Sequence, residues 1–126
     1  MYERDYLMRQ ISRLIRFLVD TILYSDKKSS AQKEEAFAQV YSITGISKEN
    51  IFEYDSDQLI NLLGTTDSGL DKLEMLAYTL LGESGEELNE AKRMHLRSLS
   101  KDVLEYVDRH SDLYSLERKS ILNGFS

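Results

Sequence analysis

The stretch Asp5-Tyr-Leu-Met-Arg-Gln-Ile-Ser-Arg-Leu-Ile-Arg-Phe-Leu-Val-Asp-Thr-Ile-Leu-Tyr24 decides the fold class. At about 100° per position, Leu7, Met8, Ile11, Leu14, Ile15, Leu18, Val19, Ile22 and Leu23 fall within roughly half of a helical circumference. An ordinary surface helix carries a narrower apolar stripe, on the order of 100° wide. A face this broad must be covered from two sides, by two neighbouring helices or by a partner subunit, so this helix is expected at the centre of the molecule. Arg9, Arg13, Arg16 and Asp20 lie on the opposite strip, flanked by Tyr2, Tyr6, Phe17 and Tyr24. Asp5 and Arg9 stand at i,i+4, the spacing of a favourable pair.

The rest of the chain agrees with a helical protein. Its 126 residues contain no proline, where average usage would give about six. Proline breaks helix interiors, so its absence suits a chain of helices and short turns. There is no cysteine, which excludes disulfides and thiolate metal sites and fits a reducing cytoplasm. The start, Met1-Tyr-Glu-Arg-Asp5, is charged with mixed sign and does not have the form of a signal peptide. No apolar run approaches the roughly 18 residues of a membrane span. Net charge is −6 and unevenly placed. Residues 1–28 carry six Lys/Arg against four Asp/Glu, whereas residues 29–126 carry ten against eighteen. An acidic body argues against broad nucleic-acid binding, which needs a basic footprint.

Helix signals follow one another along the chain. Ser25-Asp-Lys-Lys-Ser-Ser30 reads as a loop, with Ser29 or Ser30 capping a second helix that stops at Gly45. Its core face is Ala36, Phe37, Val40, Tyr41 and Ile43. Ser47 caps a short turn, and Asp55 or Ser56 starts a Leu-rich helix over residues 57–63 that Gly64 ends, with Asp55 and Gln58 at capping-box spacing. Ser68 with Asp71 opens a helix to Leu81, with Leu70, Leu73, Leu76, Ala77, Leu80 and Leu81 on its apolar arc. Gly82-Glu-Ser-Gly85 is expected to turn the chain, and Ser84 with Glu87 to open a long helix over residues 86–109. The seam of that helix reads Leu88, Ala91, His95, Leu99, Val103 and Tyr106. Ser111 is expected to cap a last helix ending at Asn123-Gly124. No stretch alternates in the manner of a strand.

Two motifs invite chemistry. Glu87-Leu-Asn-Glu90 and Glu105-Tyr-Val-Asp108 resemble the E-x-x-E … E-x-x-D magnesium motif of the all-α nucleotide pyrophosphohydrolases. Such pairs on facing helices hold Mg²⁺ against a triphosphate. If residues 86–109 form one helix, the pairs sit about 27 Å apart and cannot share a metal. They meet only if the chain breaks near Ser98-Leu-Ser100. His95 and His110 are the only histidines; His95 lies in the apolar seam with no metal-ligand partner at i±3 or i±4, and reads as a structural residue. No cofactor and no metal site is expected.

Two resemblances concern the fold. The opening Met1-Tyr-Glu-Arg-Asp-Tyr-Leu-Met-Arg-Gln-Ile11 looks like the start of a family of small uncharacterised bacterial all-helical proteins. That resemblance implies short Leu-rich turns and a helical hairpin after the first helix, with no activity or site residues to carry over. The hairpin over residues 73–99, through Ala77-Tyr78, Leu81-Gly82, Gly85, Ala91, His95 and Leu99, resembles a degenerate tetratricopeptide unit.

The expectation is one all-α domain over residues 1–126: a bundle of five to seven helices, with a long helix over 1–24 and an acidic helical body over 29–126. The expected role is a cytoplasmic interaction or scaffold protein without catalytic activity. Its partner is another protein or a second copy docked through the N-terminal helix, with no nucleic acid and no membrane. Arg9, Arg13 and Arg16 form the candidate partner-binding strip. The competing roles are a Mg²⁺-dependent nucleotide pyrophosphohydrolase using Glu87, Glu90, Glu105 and Asp108, and a small-molecule sensor with an inter-helix pocket. An aspartate at Leu14 or Ile15 should unfold the chain or break an assembly, because an unpaired buried charge costs several kcal/mol. Circular dichroism and solution mass report either outcome, and an unchanged variant would show that the buried face lies elsewhere.

Overall fold

Local signals in the chain become six α-helices among the residues described by the computed structural model, 2–24 and 28–125, the side chains of residues 2 and 3 apart. They are α1 (Tyr2–Leu23), α2 (Ser30–Thr44), α3 (Ser56–Gly64), α4 (Gly69–Glu86), α5 (Glu90–His110) and α6 (Leu116–Asn123), with a 3-10 turn at Asn50–Glu53. The described residues contain no strand, and the helices pack as a single bundle. Residues 25–27 of the first loop and the side chain of Tyr2, among the flanks of the arginine strip, lie outside the described residues.

Several caps form as their sequence dictates. Ser29 and Gln32 close a reciprocal capping box on α2, and Asp55 and Gln58 another on α3. Gly45 ends α2 in the left-handed conformation, with φ 74°. Ser47 and Asn50 bond each other's backbone N–H across the turn that carries Ile51 into the core.

The centre of the bundle is α4, not α1. Residues 73–80 of α4 are all buried, an unbroken run of more than two turns with no solvent face. They are enclosed by α1, α2, α3 and α5. The broad apolar face of α1 is real but peripheral: Ile11, Leu14, Leu18 and Val19 are buried, whereas Leu7, Met8, Ile15, Ile22 and Leu23 are half-buried. Its coverage is intramolecular, with α4 beneath it and α2 and α6 to the sides. Every position of α4 from Leu73 to Leu80 except Glu74 and Thr79 is apolar or aromatic, which permits burial all round.

The α4–α5 connection differs from the sequence expectation. Helix α4 runs through Gly82 and Gly85 to Glu86, and the chain turns at residues 87–89. A mid-helix glycine costs only about 0.5–1 kcal/mol relative to alanine. At Gly82 the missing side chain makes room for Phe37, whose Cζ would lie 2.9 Å from an added Cβ. Ser84 is buried within α4, its Oγ donating to Leu81 O at 2.6 Å, so it caps nothing. Asn89 is the cap instead, its Oδ1 accepting from Lys92 N at 3.0 Å. The helices α4 and α5 do pack as a hairpin, with the turn at residues 87–89 and not at the two glycines where the tetratricopeptide likeness placed it.

Shifting the turn rotates the seam of α5. Its buried residues are Leu96, Leu99, Ser100, Val103, Leu104 and Val107. Of the expected positions only Leu99 and Val103 belong; Ala91 is exposed, His95 and Tyr106 are half-buried, and Leu88 is 95% exposed in the turn. Ser100 sits in the seam because its hydroxyl donates to the backbone carbonyl of Ala77 at 2.7 Å. Two small side chains at this crossing let α4 and α5 approach closely.

Two more starts differ. Ser68 precedes α4 with a left-handed backbone, φ 59°, and makes no cap; its Oγ donates to Met8 Sδ instead. The last helix begins at Leu116 under Ser115, not under Ser111, which ends α5. At the α3–α4 corner an added Cβ on Gly69 would lie 2.6 Å from both Leu63 O and Gly64 O, backbone atoms that cannot step aside. Gly69→Ala is therefore expected to destabilise by about 1–3 kcal/mol. Gly85→Ala, with nothing within 4 Å of the new methyl, should stabilise by about 0.5 kcal/mol. Urea denaturation of both variants checks the pair; a harmless Gly69→Ala would contradict the close corner.

Candidate interaction surface

The polar strip of α1 is divided by the tertiary structure. Arg16 is drawn to α6, with Nη2 3.4 Å from Glu117 Oε2 and Nη1 3.3 Å from Asp20 Oδ1. Those two carboxylates raise its pKa, with the Asp20 hydrogen bond as the main cause. Arg4 pairs with Asp67 at 3.4 Å across the surface. Arg9 and Arg13 are exposed and have no carboxylate within ion-pair distance among the described residues; the favourable spacing of Asp5 and Arg9 does not produce a pair. Thus Arg16 alone of the three arginines is ion-paired among the described residues.

Arg9 and Arg13 flank exposed aromatic and apolar surface. Tyr6 is 61% exposed and borders a shallow dent with Arg9, Ser12 and Arg13. Beside it a groove of about 510 Å³ runs between α1 and α2. Leu14, Phe17 and Ala36 contribute apolar walls; Tyr6 and Arg13 line the α1 side, and Glu35 and Gln39 the α2 side. A single side-chain bond, Gln10 Nε2 to Gln39 Oε1 at 3.4 Å, ties the two helices here.

The most concentrated buried charge lies elsewhere. Arg118 of α6 is 4% exposed. Its Nε donates to Asp108 Oδ1 at 2.9 Å, its Nη2 to Leu113 O at 2.9 Å, and its Nη1 reaches Glu74 Oε2 at 3.4 Å. Glu74 Oε2 also accepts from the Tyr78 hydroxyl at 2.7 Å, and Lys119 binds the second oxygen of Asp108. Burial pushes the Tyr78 phenol well above its usual range, and Glu74 adds to this. Lys119 holds the Asp108 carboxyl below the usual carboxylate range, overriding the opposing effect of burial, with Arg118 adding to it. Each member has its partner within the cluster, so it fastens α6 to α4 and α5 and offers no free group for chemistry.

The acidic motif is not assembled. Helix α5 is unbroken through Ser98-Leu-Ser100, which keeps Glu90 and Asp108 about 27 Å apart along its axis. Glu87 lies in the turn before α5 and accepts from Asn89 N, and Asp108 is held by Arg118 and Lys119. No group of three metal-ligating side chains occurs among the described residues. His95 is half-buried at the edge of the seam; its Nε2 lies 3.2 Å from Tyr54 O and its ring 5.9 Å from that of Phe52, so it pins the 3-10 turn to α5. His110 stacks on Tyr106 at 4.0 Å.

One pocket of about 300 Å³ opens between α2, the 3-10 turn and the α4–α5 connection. Tyr41, Ile51, Phe52 and Leu96 line it, with Lys48 and Glu83 among its polar residues. The Tyr41 hydroxyl donates to Glu83 Oε2 at 2.9 Å, and burial raises its pKa, with Glu83 adding to the effect. Sequence reasoning missed this juxtaposition, because 42 residues separate Tyr41 from Glu83. It also missed Arg118, which in sequence is one more cation on a short polar helix.

No family model matches the chain, and no curated protein or solved structure matches it. No described helix is long and apolar enough to cross a membrane.

The Arg118 cluster predicts how stability responds to substitution and to acid. Arg118→Leu leaves Glu74 buried beside a phenol alone and should cost about 3–5 kcal/mol. Because the folded pKa of Asp108 is depressed, its contribution is complete above the unfolded carboxyl value near 4 and is lost as pH falls through the folded value. Asp108→Asn should therefore be less stable at neutral pH and flatter in its acid limb. Urea midpoints measured against pH check this, and an acid limb as steep as that of the wild type would contradict it.

Proposed function

We propose that this protein is a non-catalytic helical interaction module that docks an acidic segment of another chain against α1. One observation carries the proposal: Arg13, without a carboxylate partner among the described residues of an acidic protein, lines the α1–α2 groove beside the exposed Tyr6, and Arg9, equally without one, lines the adjoining dent that shares Tyr6 and Arg13. Exposed ion pairs supply little affinity by themselves but steer encounter and select register. Phe17, with Lys28 Nζ 5.1 Å from its ring centroid, and the edges of Leu14 and Ala36 give an apolar side chain of the partner something to pack against. The expected occupant is accordingly a turn or helix with glutamates or aspartates around one leucine or aromatic residue. The part of the strip assigned to the partner is Arg9 and Arg13; Arg16 is occupied by Asp20 and Glu117. The cytoplasm is the compartment proposed for this interaction, on the absence of cysteine.

A second role has its own observation. The pocket lined by Tyr41, Ile51, Phe52 and Leu96 suits a small ligand with an apolar body and a polar end facing Lys48 or Glu83, as a sensor requires. A ligand of that role raises the melting temperature, and Leu96→Trp abolishes the rise.

The main proposal is tested by photo-crosslinking in the source cell, with benzoylphenylalanine in place of Tyr6. Mass spectrometry of the crosslinked peptide is expected to show an acidic segment around an apolar residue. The crosslink should be lost in Arg9→Glu/Arg13→Glu, whose circular dichroism should match the wild type. A crosslink indifferent to that charge reversal, or to a segment without excess acid, would remove the arginines from the interface.

A further inference from the structure

Among the described residues the most exposed large apolar side chain is Leu88, 95% exposed in the α4–α5 turn. Its surroundings are acidic: Glu86 and Glu90 are exposed on either side, and Glu87 is half-buried. Nothing in the turn requires leucine, since the Asn89 cap and the bond from Asn89 N to Glu87 Oε2 hold its shape. Met94, four residues beyond Glu90 on the same face of α5, is 62% exposed. The corner thus presents an apolar knob flanked by carboxylates, at the rim of the pocket that Lys48 and Phe52 also line. These are the features that the α1–α2 groove is suited to receive.

We propose that the acidic segment docked by Arg9 and Arg13 is the 86–90 corner of a second copy of this chain, with Leu88 seated in the α1–α2 groove. The inference rests on the docking role proposed above and names the partner. Charge complementarity selects this occupant. Glu86 and Glu90 meet Arg9 and Arg13, the exposed cations of α1 that the fold leaves unpaired. The groove is not uniformly basic, because Glu35 stands on its α2 side. The corner carries a matching cation in Arg93, exposed one turn after Glu90. Lys92 is folded back over the Phe52 ring, 5.3 Å from its centroid. A groove of about 510 Å³ has room for the leucine together with the stems of its neighbours. Within one molecule the corner cannot fill its own groove. The Tyr41–Glu83 bond holds the end of α4 at the C-terminal half of α2, whereas the groove lies along residues 32–39 of α2 and residues 6–17 of α1. The contact is therefore made between copies.

Sedimentation equilibrium of the purified full chain tests the inference, at increasing concentration and at about 50 mM and about 500 mM salt. The wild type should show mass above the 14.6 kDa of one chain, rising with concentration and falling with salt. Arg9→Glu/Arg13→Glu and Glu86→Lys/Glu90→Lys should each stay monomeric, and an equimolar mixture of the two should associate again because every contact between the two variants then joins opposite charges, either the native arginine–glutamate pairing or its reversal. Leu88→Ser, at a site with no packing role in the fold, should weaken association at least tenfold without changing circular dichroism. A wild type that remains monomeric up to about 1 mM, about −4 kcal/mol in affinity terms, would overturn the self-docking. So would a charge-swapped mixture that stays monomeric. Neither result touches a Tyr6 crosslink to a different protein, so failure here is distinguishable from failure of the docking role itself.

Discussion

Complete enclosure of α4 is the constraint on which the bundle depends. A helix with no solvent face over residues 73–80 has no stable position until α1, α2, α3 and α5 are all in place. That makes the core cooperative, since removing any one wall exposes apolar surface on the central helix and on its neighbours. It also sets a polar condition. Each buried polar group on α4 must find a partner inside the protein, at a cost of about 1–3 kcal/mol when it does not. Glu74 and Tyr78 bond each other, and Ala77 O accepts from Ser100 in addition to its place in the helix. The Thr79 hydroxyl alone is left without a partner among the buried side chains described.

The charge on Glu74 explains why so short a helix as α6 is held in place. Eight residues make a marginal helix in water, and α6 has few large apolar groups to bury besides Ile121. Arg118 anchors it by answering both Glu74 on α4 and Asp108 on α5. Once anchored, α6 brings Glu117 to Arg16. A buried ion pair thus shapes the distant surface: it removes one arginine from the strip on α1 and leaves Arg9 and Arg13 to face outward. Two features of this surface then coincide. The cations lie beside a groove with apolar walls, and the most exposed large apolar side chain among the described residues lies within an acidic turn. Separately each is ordinary on a small protein; together they motivate the contact proposed between copies.

The interior leaves little room for the nucleotide chemistry that the acidic spacing suggested. Metal-dependent phosphoryl or pyrophosphate chemistry gathers carboxylates around one ion. Here Glu90 and Asp108 mark opposite ends of one straight element, and Asp108 is committed to two cations. The acidic excess is spent on the surface and on holding α6.

The sequence by itself determined that the protein is all-helical, where α2 and α3 begin, and where α2 ends. These features depend on local chemistry: apolar period, a serine cap at residue 29 or 30, the capping-box spacing of Asp55 and Gln58, and Gly45 as a stop, each acting within four residues. It also supplied Arg9 and Arg13 as surface cations, because their position on the helical wheel is a local matter. Only the tertiary structure decided which helix is central, where α4 stops and which face α5 buries. A glycine reads as a turn until Phe37, 45 positions away, needs the space at Gly82, and Ser84 reads as a cap until the helix runs past it. The same holds for Arg16, bound by a glutamate 101 residues on, and for Arg118, whose partners lie on two other helices. Local bonds can be read from neighbouring letters, whereas burial and ion pairing depend on residues that only folding brings together.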